Sequence, residues 1–319
     1  MSAPSLLYPP RFAVGDTIGI AAPASPPDKP DVIEDSIARF GALGFKVRAG
    51  ANLRKREGYL AGSDQERAAD INALFADPEV KAIFALRGGY GSCRILPLLD
   101  YDLIRANPKS FVGYSDITAM QLAILVKTGL VTYHGSNASS ALAEANIAMF
   151  REMLIDDVSH RPPVGGRQIL FARRGPPGDR LKSVVSGRIE GQLLGGNMTC
   201  LLRLLATPYA PDFRGAILFL EDTGEKAYRV DGMFTHLRLA GILDQIGGLV
   251  LGQFDHTDPA EQNRVAQCLQ REAEHIGVPC VSGAPIGHFP TQIIVPQGAS
   301  AELDADNGTL QLLPEKPGA

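Results

Sequence analysis

AIFALRGGYGSCRILPLLDYDLIRANPKSFVGYSDITAMQLAILV, residues 82–126, is the stretch whose reading decides the fold. Ala82 to Leu86 is a short apolar run that reads as a buried strand. It gives way to the turn Gly88-Gly89-Tyr90-Gly91 and then to an apolar helix. Ser110 to Gly113 is a second apolar run, ending at Tyr114-Ser115-Asp116, and Ile117 to Val126 reads as a helix. Strand, turn and helix in repeated order predict a parallel sheet with helices on both faces.

The same rhythm extends outward. Thr17 to Ala22 reads as a buried strand stopped by Pro23, and Val32, Ile33, Ile37 and Phe40 recur at helical spacing. Ser63 and Glu66 match a capping box that opens a helix running to Asp77-Pro78. Between 161 and 186 the pattern breaks at Pro162-Pro163, Gly165-Gly166 and Pro176-Pro177, which reads as a linker or mobile loop. Beyond it, Gly187–Leu194, Ala216–Leu220 and Leu249–Leu251 read as strands. A helix is expected to end near Pro208 and another to cover Tyr228–Leu243. Ile293–Val295, Ser300–Leu303 and Leu310–Leu313 give short strand signals. The expected fold is therefore α/β. An N-terminal parallel-sheet α/β domain covers 1–160, and a smaller C-terminal α/β domain with short β-strands covers 187–319.

Composition narrows the function. The 319 residues suffice for two domains, and a net charge of -4 gives no overall field for nucleic acid or an anionic membrane. The cysteines Cys93, Cys200, Cys268 and Cys280 form no CxxC pair, so neither a zinc site nor a redox motif is expected. MSAPSLLYPPRFAVGD lacks the charged start and apolar run of a signal peptide, and no run of 18 apolar residues occurs. A cytoplasmic location is expected.

Ser115 sits where a strand gives way to a helix, a place that lifts a side chain out of the sheet and aims free N–H groups at a developing oxyanion. Ile117 replaces the glycine expected two residues after an elbow serine, so on pattern alone Ser115 reads as a helix cap before it reads as a nucleophile. Gly88, Gly89 and Gly91 let a backbone approach an anion closely, or form an ordinary tight turn. Arg94 stands at the third glycine of a dinucleotide fingerprint, and no GxxxxGK[ST] is present. A serine nucleophile needs a base and an acid to orient it. Of six histidines, His160 and His275 read as exposed, His236 as structural on its helix, and His256 as part of a turn. His134 ends a strand and stays open, while His288 lies in a loop shaped by glycine and proline. Glu221 and Asp222 follow the strand Ala216–Leu220, where carboxylates face an α/β site, and either could be the acid. No HExxH or close His/Asp cluster suggests a metal.

Five stretches carry a resemblance to a known family: GDTIGIAAPASP (15–26), GYLAGSDQERAADINALFADP (58–78), LRGGYGSCRILPLLDYDLIRANPKSFVGYSDIT (86–118), GQLLGGNMTCL (191–201) with LFLEDTGEKAYRVDGMFTHLRLAGIL (218–243), and GAPIGHFPTQIIVPQGASAELDADNGTL (283–310). The chain resembles the LD-carboxypeptidases, which include muramoyltetrapeptide carboxypeptidases and microcin-immunity peptidases. The resemblance implies a Ser115, Glu221, His288 triad, with Glu221 rather than Asp222 as the acid. It also implies an oxyanion hole from the amides of Gly88 or Gly89 and of Asp116, and a homodimer, as family members often are; no cofactor or metal is expected. A carboxypeptidase must hold a terminal carboxylate, for which Arg87 and Arg94 are candidates beside their reading as surface arginines. The implied reaction releases terminal D-alanine from a cytoplasmic murein tetrapeptide during peptidoglycan recycling. The alternative is a microcin-type peptidyl-nucleotide substrate, against which the absence of Trp and 7% aromatics speak. A non-catalytic α/β binding protein is the reading from another class.

Overall fold

The computed structural model describes residues 4–140, 144–155, 168–172 and 182–314. The first half runs β1 (Thr17–Ala21), α1 (Asp31–Ala42), β2 (Lys46–Ala49), α2 (Asp64–Ala76), β3 (Val80–Ala85), α3 (Ser92–Ile95), α4 (Tyr101–Ala106), β4 (Ser110–Gly113), α5 (Ile117–Thr128), β5 (Thr132–His134) and α6 (Glu144–Leu154). The second half runs β6 (Gln168–Ala172), β7 (Lys182–Val185), β8 (Arg188–Asn197), α7 (Met198–Leu202), β9 (Ile217–Thr223), α8 (Ala227–Leu239), β10 (Gly248–Asp255), α9 (Pro259–Ile276), β11 (Cys280–Ser282), β12 (Val295–Gln297), β13 (Ser300–Asp304) and β14 (Thr309–Leu312).

The first sheet has the order β12-β5-β4-β3-β1-β2. All its pairings are parallel except β12 on β5. The expected α/β class and parallel sheet are present. The capping box is also formed, with Ser63 Oγ accepting from Glu66 N and the Glu66 carboxylate accepting from Ser63 N. The second sheet is mixed, in the order β6-β14-β13-β8-β9-β10-β11-β7, with a parallel centre of β8, β9, β10 and β11.

Three differences from the sequence reading matter for the site. The stretch read as linker, 161–186, contains β6 and β7, which close the two ends of the second sheet; residues 156–167 and 173–181 lie outside those described. Proline and glycine pairs there mask two four- to five-residue strands too short to show a period. β12 belongs to the first sheet although it comes from the second half, because Val295 pairs with His134 and Gln297 with Thr132. β9 runs through Glu221 and Asp222 rather than stopping before them, since buried partners let charged residues continue a strand.

Helix α5 fixes the geometry between the halves. Apolar residues occupy it nearly all round, the pattern of a helix buried on every side. It packs on β4 and β5 on one side and on α7 and β8 on the other. Gln297 ties the sheets together further, exchanging hydrogen bonds with the Gly195 N–H and C=O.

Candidate active site

β3 and β4 are neighbours, so the turns leaving their carboxyl ends lie side by side. After β4 the chain turns at Ser115 with φ 65°, one of two non-glycine residues with positive φ among those described. A left-handed serine costs about 1–2 kcal/mol, and such strain at a strand-to-helix turn is what an elbow nucleophile carries. The helix-cap reading does not hold in the structure. Asp116 is the residue flanking α5, and no side-chain hydrogen bond caps that end. Thr118 N donates to the backbone oxygen of Ser115, at 2.9 Å, which leaves the hydroxyl uncommitted.

The glycine turn after β3 meets this serine directly. A Cβ on Gly88 would lie 2.8 Å from Ser115 Cβ, 3.0 Å from its Oγ and 3.2 Å from Asp116 N. Only glycine fits that approach. Among the described residues, none accepts from the backbone N–H of Gly88, Gly89 or Asp116. Three unspent donors beside one hydroxyl, at the start of a twelve-residue helix, suit a developing negative charge.

Adjacent residues of a strand point to opposite faces, and this separates Glu221 from Asp222. Asp222 points to α7 and is consumed there. It accepts from Asn197 Nδ2 at 3.1 Å, Thr199 N at 2.9 Å and Thr199 Oγ1 at 2.8 Å. Glu221 points the other way, fully buried, and its Oε2 lies 2.8 Å from His288 Nδ1. Gly287 permits the contact, because a Cβ there would sit 2.7 Å from that same oxygen. Burial pushes the Glu221 carboxyl up, with the His288 hydrogen bond pulling the other way. Burial also opposes charge on His288, but the Glu221 carboxylate outweighs it and holds the imidazole above the ordinary histidine value.

A cleft of about 540 Å³ joins these groups, lined by Ser115, Gly88, Gly89, His288, Tyr114, Arg87, Asp28, Asn137, Ser139, Ser140 and Thr223, with Pro27 and Val32. Ser115 and His288 thus face one space, and Ser115 Oγ forms no hydrogen bond to a described residue. Catalytic hydrogen bonds of this kind commonly tighten only with substrate in place. With Nδ1 bound to Glu221, His288 presents Nε2 as its proton acceptor.

The other sequence candidates fall elsewhere. Arg94 is gripped by both oxygens of Asp64 and does not line the cleft. His134 is fully buried with neither ring nitrogen partnered, and burial drives its pKa down to about 3. His256 accepts from Asp258 N in its turn, His236 and His275 are exposed, and His160 lies outside the described residues. For a metal, the described residues offer one grouping of three donors, Asp231, Cys268 and Glu272, and Arg271 and Arg238 already pair with its two carboxylates. No helix among the described residues is long and apolar enough to cross a membrane.

Sequence reasoning missed several residues that shape the site. Tyr114 packs against His288 with ring centroids 4.9 Å apart and planes tilted by 56°, and its N–H donates to Asn137 Oδ1. Asn146 on α6 holds the His288 loop from both sides, donating to Pro290 O at 2.9 Å and accepting from Gln292 N at 3.0 Å. Arg67, fully buried on α2, donates to Gly62 O, Gly91 O and Pro23 O and pairs with Asp64, so it clamps the glycine turn from behind. Arg67 did leave a trace: it is a charge on the buried face of an amphipathic helix, with Ala68 and Ile71 beside it.

The family model described as the LD-carboxypeptidase N-terminal domain matches residues 18–135, and the one described as its C-terminal domain matches 190–303. A probable murein peptide carboxypeptidase of Bacillus subtilis is 36% identical over 96% of this chain and 94% of its own. The murein tetrapeptide carboxypeptidase of Pseudomonas aeruginosa is 30% identical over 91% of this chain and 93% of its own. Among solved structures, MccF in complex with glutamyl sulfamoyl guanosine superposes with a TM-score of 0.84 at 26% identity, covering 96% of this chain and 98% of that one. By the two domain matches and the end-to-end relatives, this chain belongs to the LD-carboxypeptidase family.

Proposed function

We propose that the protein is a serine LD-carboxypeptidase that releases the terminal D-alanine of murein tetrapeptides in the cytoplasmic recycling of peptidoglycan. One observation carries the reading: a strained, uncommitted Ser115 shares a cleft with a His288 whose far nitrogen is held by buried Glu221. In this mechanism Ser115 Oγ attacks the carbonyl of the L–D peptide bond while His288 Nε2 takes its proton. Glu221 orients the ring and stabilises the imidazolium. The amides of Gly88 or Gly89 and of Asp116 receive the oxyanion, each donor worth about 3–4 kcal/mol in comparable hydrolases. His288 then protonates the leaving amine, D-alanine departs, and water attacks the acyl-enzyme by the same route in reverse. The names of the Bacillus and Pseudomonas relatives support the substrate.

The likeness to MccF supports a second reading, hydrolysis of a peptidyl-nucleotide. Besides His288, Tyr114 is the one aromatic ring among the described residues lining the cleft, and it is already packed against His288, which weighs against a nucleobase platform. Incubation with L-Ala-D-Glu-meso-diaminopimelate-D-Ala, followed by a D-alanine assay, tests the proposal. Release is expected, with a loss of roughly 10⁶-fold in kcat for Ser115→Ala. Turnover of a peptidyl-adenylate mimic but of no LD-peptide would transfer the assignment to the second reading, and full binding of tetrapeptide without turnover would make this a binding protein.

A further inference from the structure

Arg87 leaves β3 one residue before Gly88, so its side chain emerges beside the turn that packs on Ser115. Among the described residues lining the cleft it is the only one carrying a permanent positive charge. Its Nη1 donates to Asp28 Oδ1 at 2.5 Å and to Pro26 O at 3.1 Å. Its Nε and Nη2 donate to no described residue. Half of the guanidinium fork therefore stays available to a second carboxylate, which arginine binds through two parallel N–H groups.

Asp28 is an unusual partner. Its side chain is 84% exposed, against 36% for Arg87, and both line the cleft. It sits in a loop with prolines at Pro23, Pro26, Pro27 and Pro30, whose fixed φ angles hold the acid over the arginine at little entropic cost. An ion pair this exposed is weak, because water screens both charges. An incoming carboxylate, tethered to a carbonyl already seated by the oxyanion amides, competes with it at high effective concentration.

Resting on the carboxypeptidase reading, we propose that Arg87 anchors the substrate's terminal carboxylate and that Asp28 is an internal competitor for that anchor. Asp28 holds the arginine in place until substrate takes it, and it repels the same carboxylate that the arginine attracts. Selectivity for peptides with a free acid terminus is then set by Arg87, and its strength is moderated by Asp28.

The test compares the murein tetrapeptide with its C-terminal amide in wild type, Arg87→Met and Asp28→Asn. Wild type is expected to prefer the acid by 10-fold or more in kcat/KM, on the order of one charged hydrogen-bonding group. Arg87→Met should raise KM for the acid and bring the acid-to-amide ratio close to one. Asp28→Asn should lower KM for the acid by about two- to fivefold, the equivalent of the exposed pair, and leave KM for the amide unmoved. If Arg87→Met keeps the wild-type ratio, or if Asp28→Asn raises KM for the acid, this inference is overturned while the carboxypeptidase reading stands. A wild-type protein that cleaves neither peptide overturns both.

Discussion

In the proposed mechanism the cleft has a nucleophile side and a base side, and the two are built by opposite means. The nucleophile side, from β3, β4 and α5, is made of backbone: a left-handed Ser115, a glycine turn that admits no Cβ, and amides left without partners. The base side, from β9 and the loop after β11, is made of side chains: Glu221 is sealed from solvent and His288 is held by it, with Tyr114 packed against the ring. Backbone geometry positions where charge will develop, and side-chain ionisation decides when the proton moves. The first tolerates almost no added atoms, and the second almost no change of charge.

That contrast can be broken most sharply on the base side. Glu221→Gln keeps the shape but removes the charge, and it is expected to lower kcat by about 10⁴-fold, as loss of the orienting acid does in other triads. It should also move the pH profile. His288 acts as base only when neutral, and the Glu221 carboxylate raises its pKa, so kcat/KM of wild type should fall as pH drops through a value above the ordinary histidine range. In the variant burial is opposed only by the weaker pull of Asp222 and Asp255, and the acid limb should shift to lower pH. An unshifted limb would exclude His288 as the base.

On the nucleophile side the next largest effect belongs to Gly88→Ala. The new methyl would lie 2.8 Å from Ser115 Cβ, so the turn or the serine must move, and kcat should fall by about 10²–10³-fold with the pH profile unchanged. A shifted profile would show that the two sides are not separable. The smallest effect is on stability. Ser115→Gly removes the left-handed penalty that Ser115→Ala retains, so the glycine variant should unfold at higher urea, by about 1 kcal/mol, although both are inactive. Equal midpoints would remove strain from the account of the elbow.

The nucleophile side was the more legible of the two in the sequence, for the same physical reason. Strand, glycine turn and strand-to-helix serine are local patterns, and 82–126 displays them contiguously. Yet pattern alone favoured Ser115 as a cap over a nucleophile, because the sign of φ is not written in residue type. The base side depends on residues 67 apart in sequence, and periodicity could not choose between Glu221 and Asp222 or pick His288 from six histidines. Family resemblance made those choices. Strand alternation places Asp222 on the α7 side, where its oxygens are occupied. Asn146 and Tyr114 stayed hidden because their roles arise where distant segments meet only in three dimensions, and Arg67 left no more than a charge on a buried helix face.

The antiparallel seat of Val295–Gln297 on β5 carries a consequence for biosynthesis. β5 is synthesised roughly 160 residues before the strand that covers it, a delay of about 8–30 s at ordinary elongation rates. Through that interval the nascent first half presents an unpaired edge, the template on which strands of other chains pair wrongly. Pro296, lying opposite Tyr133, lacks an N–H, so the strand that finally closes the edge cannot in turn recruit a continuous ladder beyond itself. The first half thus cannot be released as a finished domain. Its last strand follows His288 directly in the chain, so the strand that closes the sheet and the histidine of the cleft arrive on one segment.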